Sequence, residues 1–109
     1  MTRRVDALLD ALRSGQPADL SIERSPRMAE VKLGSRTIAR VDEAREELVV
    51  YVPADARSRV QADYPGARLD PAGVAFDLSN DHDAAIGFDL LRRRATVERV
   101  GWQYRERSP

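Results

Sequence analysis

The chain has 109 residues, no cysteine, and 18 basic against 18 acidic side chains, for a formal net charge of zero. This length fits one domain over 1–109 with enough core to fold without staples, and the absence of thiols excludes disulfides, thiolate nucleophiles and cysteine metal sites. Neutrality argues against a dedicated nucleic-acid binder, and no apolar run approaches the roughly 20 residues of a membrane span, so a cytoplasmic protein is expected.

Val5, Leu8, Leu9 and Leu12 recur at helical spacing, which predicts a first helix over 3–14. Thr2 stands at its start, and Gly15 and Pro17 stop it. From Leu20 the period changes to two. Leu20, Ile22 and Arg24 alternate with Ser21 and Glu23 up to Pro26, which predicts an edge strand or an irregular lead-in. Val31 and Leu33 form the next strand. Gly34-Ser35 suits a two-residue hairpin turn, and Thr37, Ala39 and Val41 then alternate with Arg36, Ile38 and Arg40. After the polar stretch 42–46, Leu48-Val49-Val50-Tyr51-Val52 lacks polar alternation, so it is predicted to be a central strand covered on both faces.

Pro53 opens a short helix over about 54–64, with Ala56, Val60 and Tyr64 on one side, and Pro65-Gly66 ends it. Asp70-Pro71-Ala72-Gly73 reads as a turn, and Val74, Phe76 and Leu78 mark one face of a short strand. Asn80 is placed to cap a last helix whose first turn carries Asp81 and Asp83; its apolar surface is Ala84, Ile86, Gly87, Phe88, Leu90 and Leu91, reaching about Arg94. Val97, Val100 and Trp102 are read as a closing turn or strand, and 104–109 is predicted to fray. The order of helix, three to four strands, helix, strand, helix defines an α+β domain, an antiparallel meander with helices on one face.

Three side-chain clusters bear on function. Asp77, Asp81, His82, Asp83 and Asp89 gather carboxylates around the single histidine, a set that can bind a cation or move protons. Capping explains Asp81 and Asp83, however, and the spacing lacks the glycine and distal glutamate of a calcium loop. The C-terminal stretch 91–109 holds six arginines against two glutamates, a net of +4. Within it Arg92, Arg93, Arg94, Arg99, Trp102 and Tyr104 interleave cations with aromatics, the composition of surfaces that contact acidic proteins or stack bases along a phosphate backbone. Tyr51 with Asp63 and Tyr64 is a third set, which would line a small cleft. No cysteine or Gly-x-Ser-x-Gly elbow serves nucleophilic catalysis, and the six glycines stand singly, with no phosphate-cradling loop.

Three stretches, Val31 to Arg40, Leu48 to Pro53, and Gly73 to Leu78 followed by Asp83 to Leu91, give the chain a layout that resembles two groups of small bacterial proteins, the YjbR (MmcQ)-like family and the "luciferase domain" family. The resemblance covers roughly 60 residues and is one of layout. The Gly-Trp opening of the family's final strand is Gly73-Val74 here, and the histidine-rich segment of the luciferase-domain group is missing, so no functional residue carries over. What it implies is a compact double-wing type fold in a group with suggested DNA-binding or ligand-binding roles, without light emission.

The residues together point to a non-enzymatic binding or protein-interaction module, with the Arg92–Tyr104 segment as its contact surface and no cofactor or metal. A homodimer through a sheet edge or the last helix is the simplest partnership. Two alternatives stand beside it: a nucleic-acid accessory protein using the basic C-terminal segment, and a small-ligand binder or enzyme using the acidic cluster around His82.

Overall fold

The computed structural model describes residues 20–97; the helix expected over 3–14 and the tail beyond Val97 lie outside them. Four strands come first: β1 (Leu20–Ser25), β2 (Met28–Leu33), β3 (Arg36–Asp42) and β4 (Glu47–Tyr51). A 3₁₀ turn over Ala54–Ala56 leads into α1 (Arg57–Asp63). Then follow β5 (Arg68–Asp70), β6 (Gly73–Asp77) and α2 (Asp81–Val97). The six strands of the described residues form one antiparallel sheet in the order β1-β2-β3-β4-β6-β5, with α1 and α2 packed on one side of it. The fold is α+β, as the alternation of apolar periods predicts. Among the described residues no helix is long and apolar enough to cross a membrane.

The turns explain the meander. Pro26-Arg27 forms a two-residue link between Ser25 and Met28, so proline, which cannot donate to a ladder, sits outside it, and among the described residues β1 is an edge strand. Gly34 has a φ of 64°, the left-handed conformation glycine adopts without steric cost, and joins Leu33 to Arg36. Asp42 accepts a hydrogen bond from the Arg45 N–H at 3.0 Å and closes the next turn.

Side chains in register build the core. Val31, Ala39, Val50 and Val74 form one row across β2, β3, β4 and β6, and Ala29, Val41, Leu48 and Phe76 form the next. Onto these rows pack Ala56, Val60 and Tyr64 from the α1 side and Leu90 and Leu91 from α2, all in one buried cluster. Each large apolar side chain so buried contributes roughly 1.5–3 kcal/mol.

Two features depart from the sequence pattern. Strict alternation puts Ile38 with Arg36 and Arg40 and puts Thr37 with Ala39. Instead, the register shifts between Val31 and Lys32, pairing Val31 with Ala39 but Lys32 with Thr37. Ile38 is the extra residue of this β-bulge, which turns it into the core cluster beside Ala39. Thr37 lies on the outer face, where its hydroxyl donates to Glu30 at 3.3 Å. The second feature is β5, whose three residues the pattern leaves within a loop. It pairs with β6 across Pro71-Ala72, a turn held by the Ala72 N–H donating to Asp70 at 2.9 Å.

The outer face explains why the β4 run is apolar throughout. Val49 and Ala75 are buried yet stand outside the main core cluster, in the cross-strand row Arg40, Val49, Ala75, Arg68. Arg40 on β3 pairs with Asp70 on β5 at 3.8 Å, and Arg68 on β5 pairs with Glu47 on β4 at 2.5 Å. Both ion pairs reach across intervening strands, so the aliphatic stems of the two arginines span this apolar strip.

Candidate functional site

The three consecutive arginines of α2 advance by about 100° each and go three ways. Arg92 is exposed, with its guanidinium 5.6 Å from the centroid of the Phe88 ring. That is an i, i+4 cation–π contact on the helix surface. Phe88 is half-buried and packs against the core, so the ring is a fixed platform. Arg93 is half-buried and donates to the Tyr64 hydroxyl at 3.4 Å. Arg94 is buried, and its Nε donates to the Tyr51 carbonyl at 2.9 Å, where β4 ends. Burial pushes the Arg94 guanidinium down to about 10, with the like charge of Arg36 adding to the effect. Arg99, Trp102 and Tyr104 lie outside the described residues. The part of the expected surface that the structure describes is therefore Arg92 on Phe88, with Arg93 beside it; Arg94 belongs to the interior. The i, i+4 spacing of Phe88 and Arg92 is the signal in the sequence that marks this platform.

The acidic cluster is organised around the entrance to α2. Asp77 accepts hydrogen bonds from the Ser79 N–H at 2.9 Å and the Ser79 hydroxyl at 2.6 Å. Asn80 accepts from the Asp83 N–H at 3.1 Å, the bond of an N-cap to a first-turn donor. The Asp83 carboxylate lies against Gly66, where a Cβ would stand 2.4 Å from its Oδ1. Asp83 thereby packs α2 against the turn after α1. Asp81, Asp83 and the exposed His82 all sit in the first turn of α2. Among the described residues, no group of three or more His, Cys, Asp or Glu side chains is placed to hold a metal ion. Asn80→Ala is expected to cost about 1 kcal/mol through loss of the cap, with thermal melting as the check. A variant that melts like the wild type would show that the carboxylates of Asp81 and Asp83 hold the helix end without it.

Tyr51 and Tyr64 do not line a common cleft. Tyr64 is fully buried in the core under α1, whereas the alternation of β4 puts Tyr51 on the outer face with Glu47 and Val49. A hollow of about 280 Å³ lies elsewhere, between the β1–β2 and β3–β4 turns, lined by Pro26, Arg27, Glu43 and Ala44. The Glu43 N–H donates to the Arg27 carbonyl at 3.1 Å and the Glu43 carboxylate pairs with Arg24. Those bonds stitch the two turns together, and the rim carries both signs of charge. No protein-family model, curated protein or solved structure matches the chain.

Proposed function

We propose that this chain is a non-enzymatic, cytoplasmic protein-interaction module whose contact surface is the outer face of α2 and the segment that follows it. The observation that carries the reading is the exposed residue Arg92, whose guanidinium stacks on the half-buried Phe88 ring. Arginine and aromatic side chains dominate the energetic centres of protein interfaces. A ring fixed by the core also presents its cation with little entropy left to lose on binding. A partner that offers carboxylates to Arg92 fits this chemistry, with Arg99, Trp102 and Tyr104 extending the contact. The non-enzymatic reading is supported by the acidic cluster, in which Asp77 closes a turn, Asn80 caps a helix and Asp83 packs against Gly66.

Affinity capture with the wild type and with Arg92→Glu tests it. Proteins held by the wild type should be lost from the variant, with affinity falling roughly ten- to a hundredfold for a central contact and the melting temperature unchanged. The same pair, titrated with a labelled oligonucleotide across a salt series, tests the nucleic-acid reading. Oligonucleotide affinity that falls steeply with salt in the wild type and collapses in Arg92→Glu would replace the protein partner with a phosphate backbone.

A further inference from the structure

Among the described residues, the two edges of the sheet are unlike. β5 is three residues long and is followed directly by Pro71, so it offers little ladder to a neighbour. β1 runs for six residues in unbroken one-to-one register with β2, from Leu20 opposite Leu33 to Ser25 opposite Met28. It contains neither proline nor glycine, and among the described residues it is the terminal strand of the sheet. An edge of this length keeps a row of backbone donors and acceptors that another strand can pair.

We propose that this edge pairs with β1 of a second copy of the chain, antiparallel about a two-fold axis through Ile22. Such an axis, perpendicular to the sheet, keeps the helix layers of both copies on one side, so only residues of the same face meet. That condition leaves few registers. Centring on Glu23 or Arg24 sets a charge directly against its own copy, which is destabilising across strands. Centring on Ser21 pairs only 20–22 among the described residues. Centring on Ile22 pairs 20–24 and brings no like charges opposite each other. In it, the half-buried Ile22, packed at the margin of the core, meets Ile22 of the second copy on the helix side. On the outer side Ser21 meets Glu23 of the second copy, twice by symmetry. Glu23 reaches Lys32 of its own chain at 3.0 Å but its side chain stays 66% exposed, open to a cross-strand neighbour. This surface is separate from the Arg92–Phe88 face and does not rest on the function proposed for it. A ladder of five residues buries less than the roughly 1,200 Å² of a standard interface, so the association belongs to the weak class.

Sedimentation equilibrium of the full chain from micromolar to millimolar concentration, with Ser21→Lys and Ser21→Glu, tests the register. Ser21 is exposed, so neither substitution touches the core. Ser21→Lys places a cation opposite Glu23 of the second copy at two positions and should tighten the dimer about tenfold; Ser21→Glu should weaken it about tenfold. Within one chain Ser21 stands opposite Lys32, so fold stability moves the other way, with Glu favoured over Lys. An effect on folding therefore cannot imitate the effect on association. Self-association ordered Lys, wild type, Glu from tightest to weakest bears the proposal out. A chain that stays monomeric at millimolar concentration overturns it, as does a dimer that ignores or inverts that order.

Discussion

Gly73→Ala is expected to destabilise the protein by about 3 kcal/mol or more, a large share of the roughly 5–15 kcal/mol that holds a domain together. The reason is proximity. A Cβ at Gly73 would stand 2.0 Å from the Val50 carbonyl oxygen, 2.7 Å from the Val52 nitrogen and 2.9 Å from the Tyr51 Cα. All three are backbone atoms of β4, the neighbour with which β6 pairs from Glu47–Asp77 to Tyr51–Gly73. A flexible side chain could swing aside, but a strand in the centre of a sheet cannot. The added methyl must therefore push apart the β4–β6 ladder, which carries Val50 with Val74 and Leu48 with Phe76. Gly34→Ala is the matching control. Gly34 has a φ of 64° and nothing within 4 Å of its would-be Cβ, so only the conformational penalty of roughly 1 kcal/mol applies. Urea denaturation of both variants decides the matter. Equal midpoints would mean that Gly73 serves flexibility rather than close approach.

Local chemistry made much of this fold legible. Gly34 between two alternating runs calls for a positive φ, Asn80 ahead of an apolar helix surface calls for a cap, and both bonds or angles are present. The apolar run of β4 called for burial on both faces, and Leu48, Val49 and Val50 are all fully buried. What stayed hidden depends on register, which no local pattern specifies. Ile38 reads as an outer-face residue until the bulge opposite Val31 and Lys32 turns it inward. Arg68, Leu69 and Asp70 read as loop because three residues are too few to show a period. The pairs of Arg40 with Asp70 and Arg68 with Glu47 follow only once β6 lies between β4 and β5. For the candidate surface the limit was angular. Arg92, Arg93 and Arg94 are one basic block in sequence, yet successive helical residues point about 100° apart, and only the first of them is exposed.

That angular separation makes Arg94→Ala the second large effect, at about 2–3 kcal/mol of stability. Arg94 is 6% exposed and its Nε donates to the Tyr51 carbonyl. Truncation removes the packing of its aliphatic stem and takes a donor from a carbonyl at the end of a central strand. Arg94→Met keeps most of the stem and removes a guanidinium that burial holds near pH 10, below its ordinary value, so it should recover more than half of the loss. The folded state binds this proton less tightly than the unfolded chain, so the charged form carries a cost that is constant below about pH 10 and is relieved only above it. The stability difference between wild type and Arg94→Met should therefore be the same at about pH 7 as at about pH 9. A difference that changes in that interval would mean a titrating neighbour governs the site. Arg92→Ala, by contrast, should stay within roughly 0.5 kcal/mol of the wild type because it removes an exposed side chain. An alanine scan through the three arginines then separates contact from folding. Partner binding lost at Arg92 with the melting curve intact reports the surface, and binding lost at Arg94 reports the core beneath it.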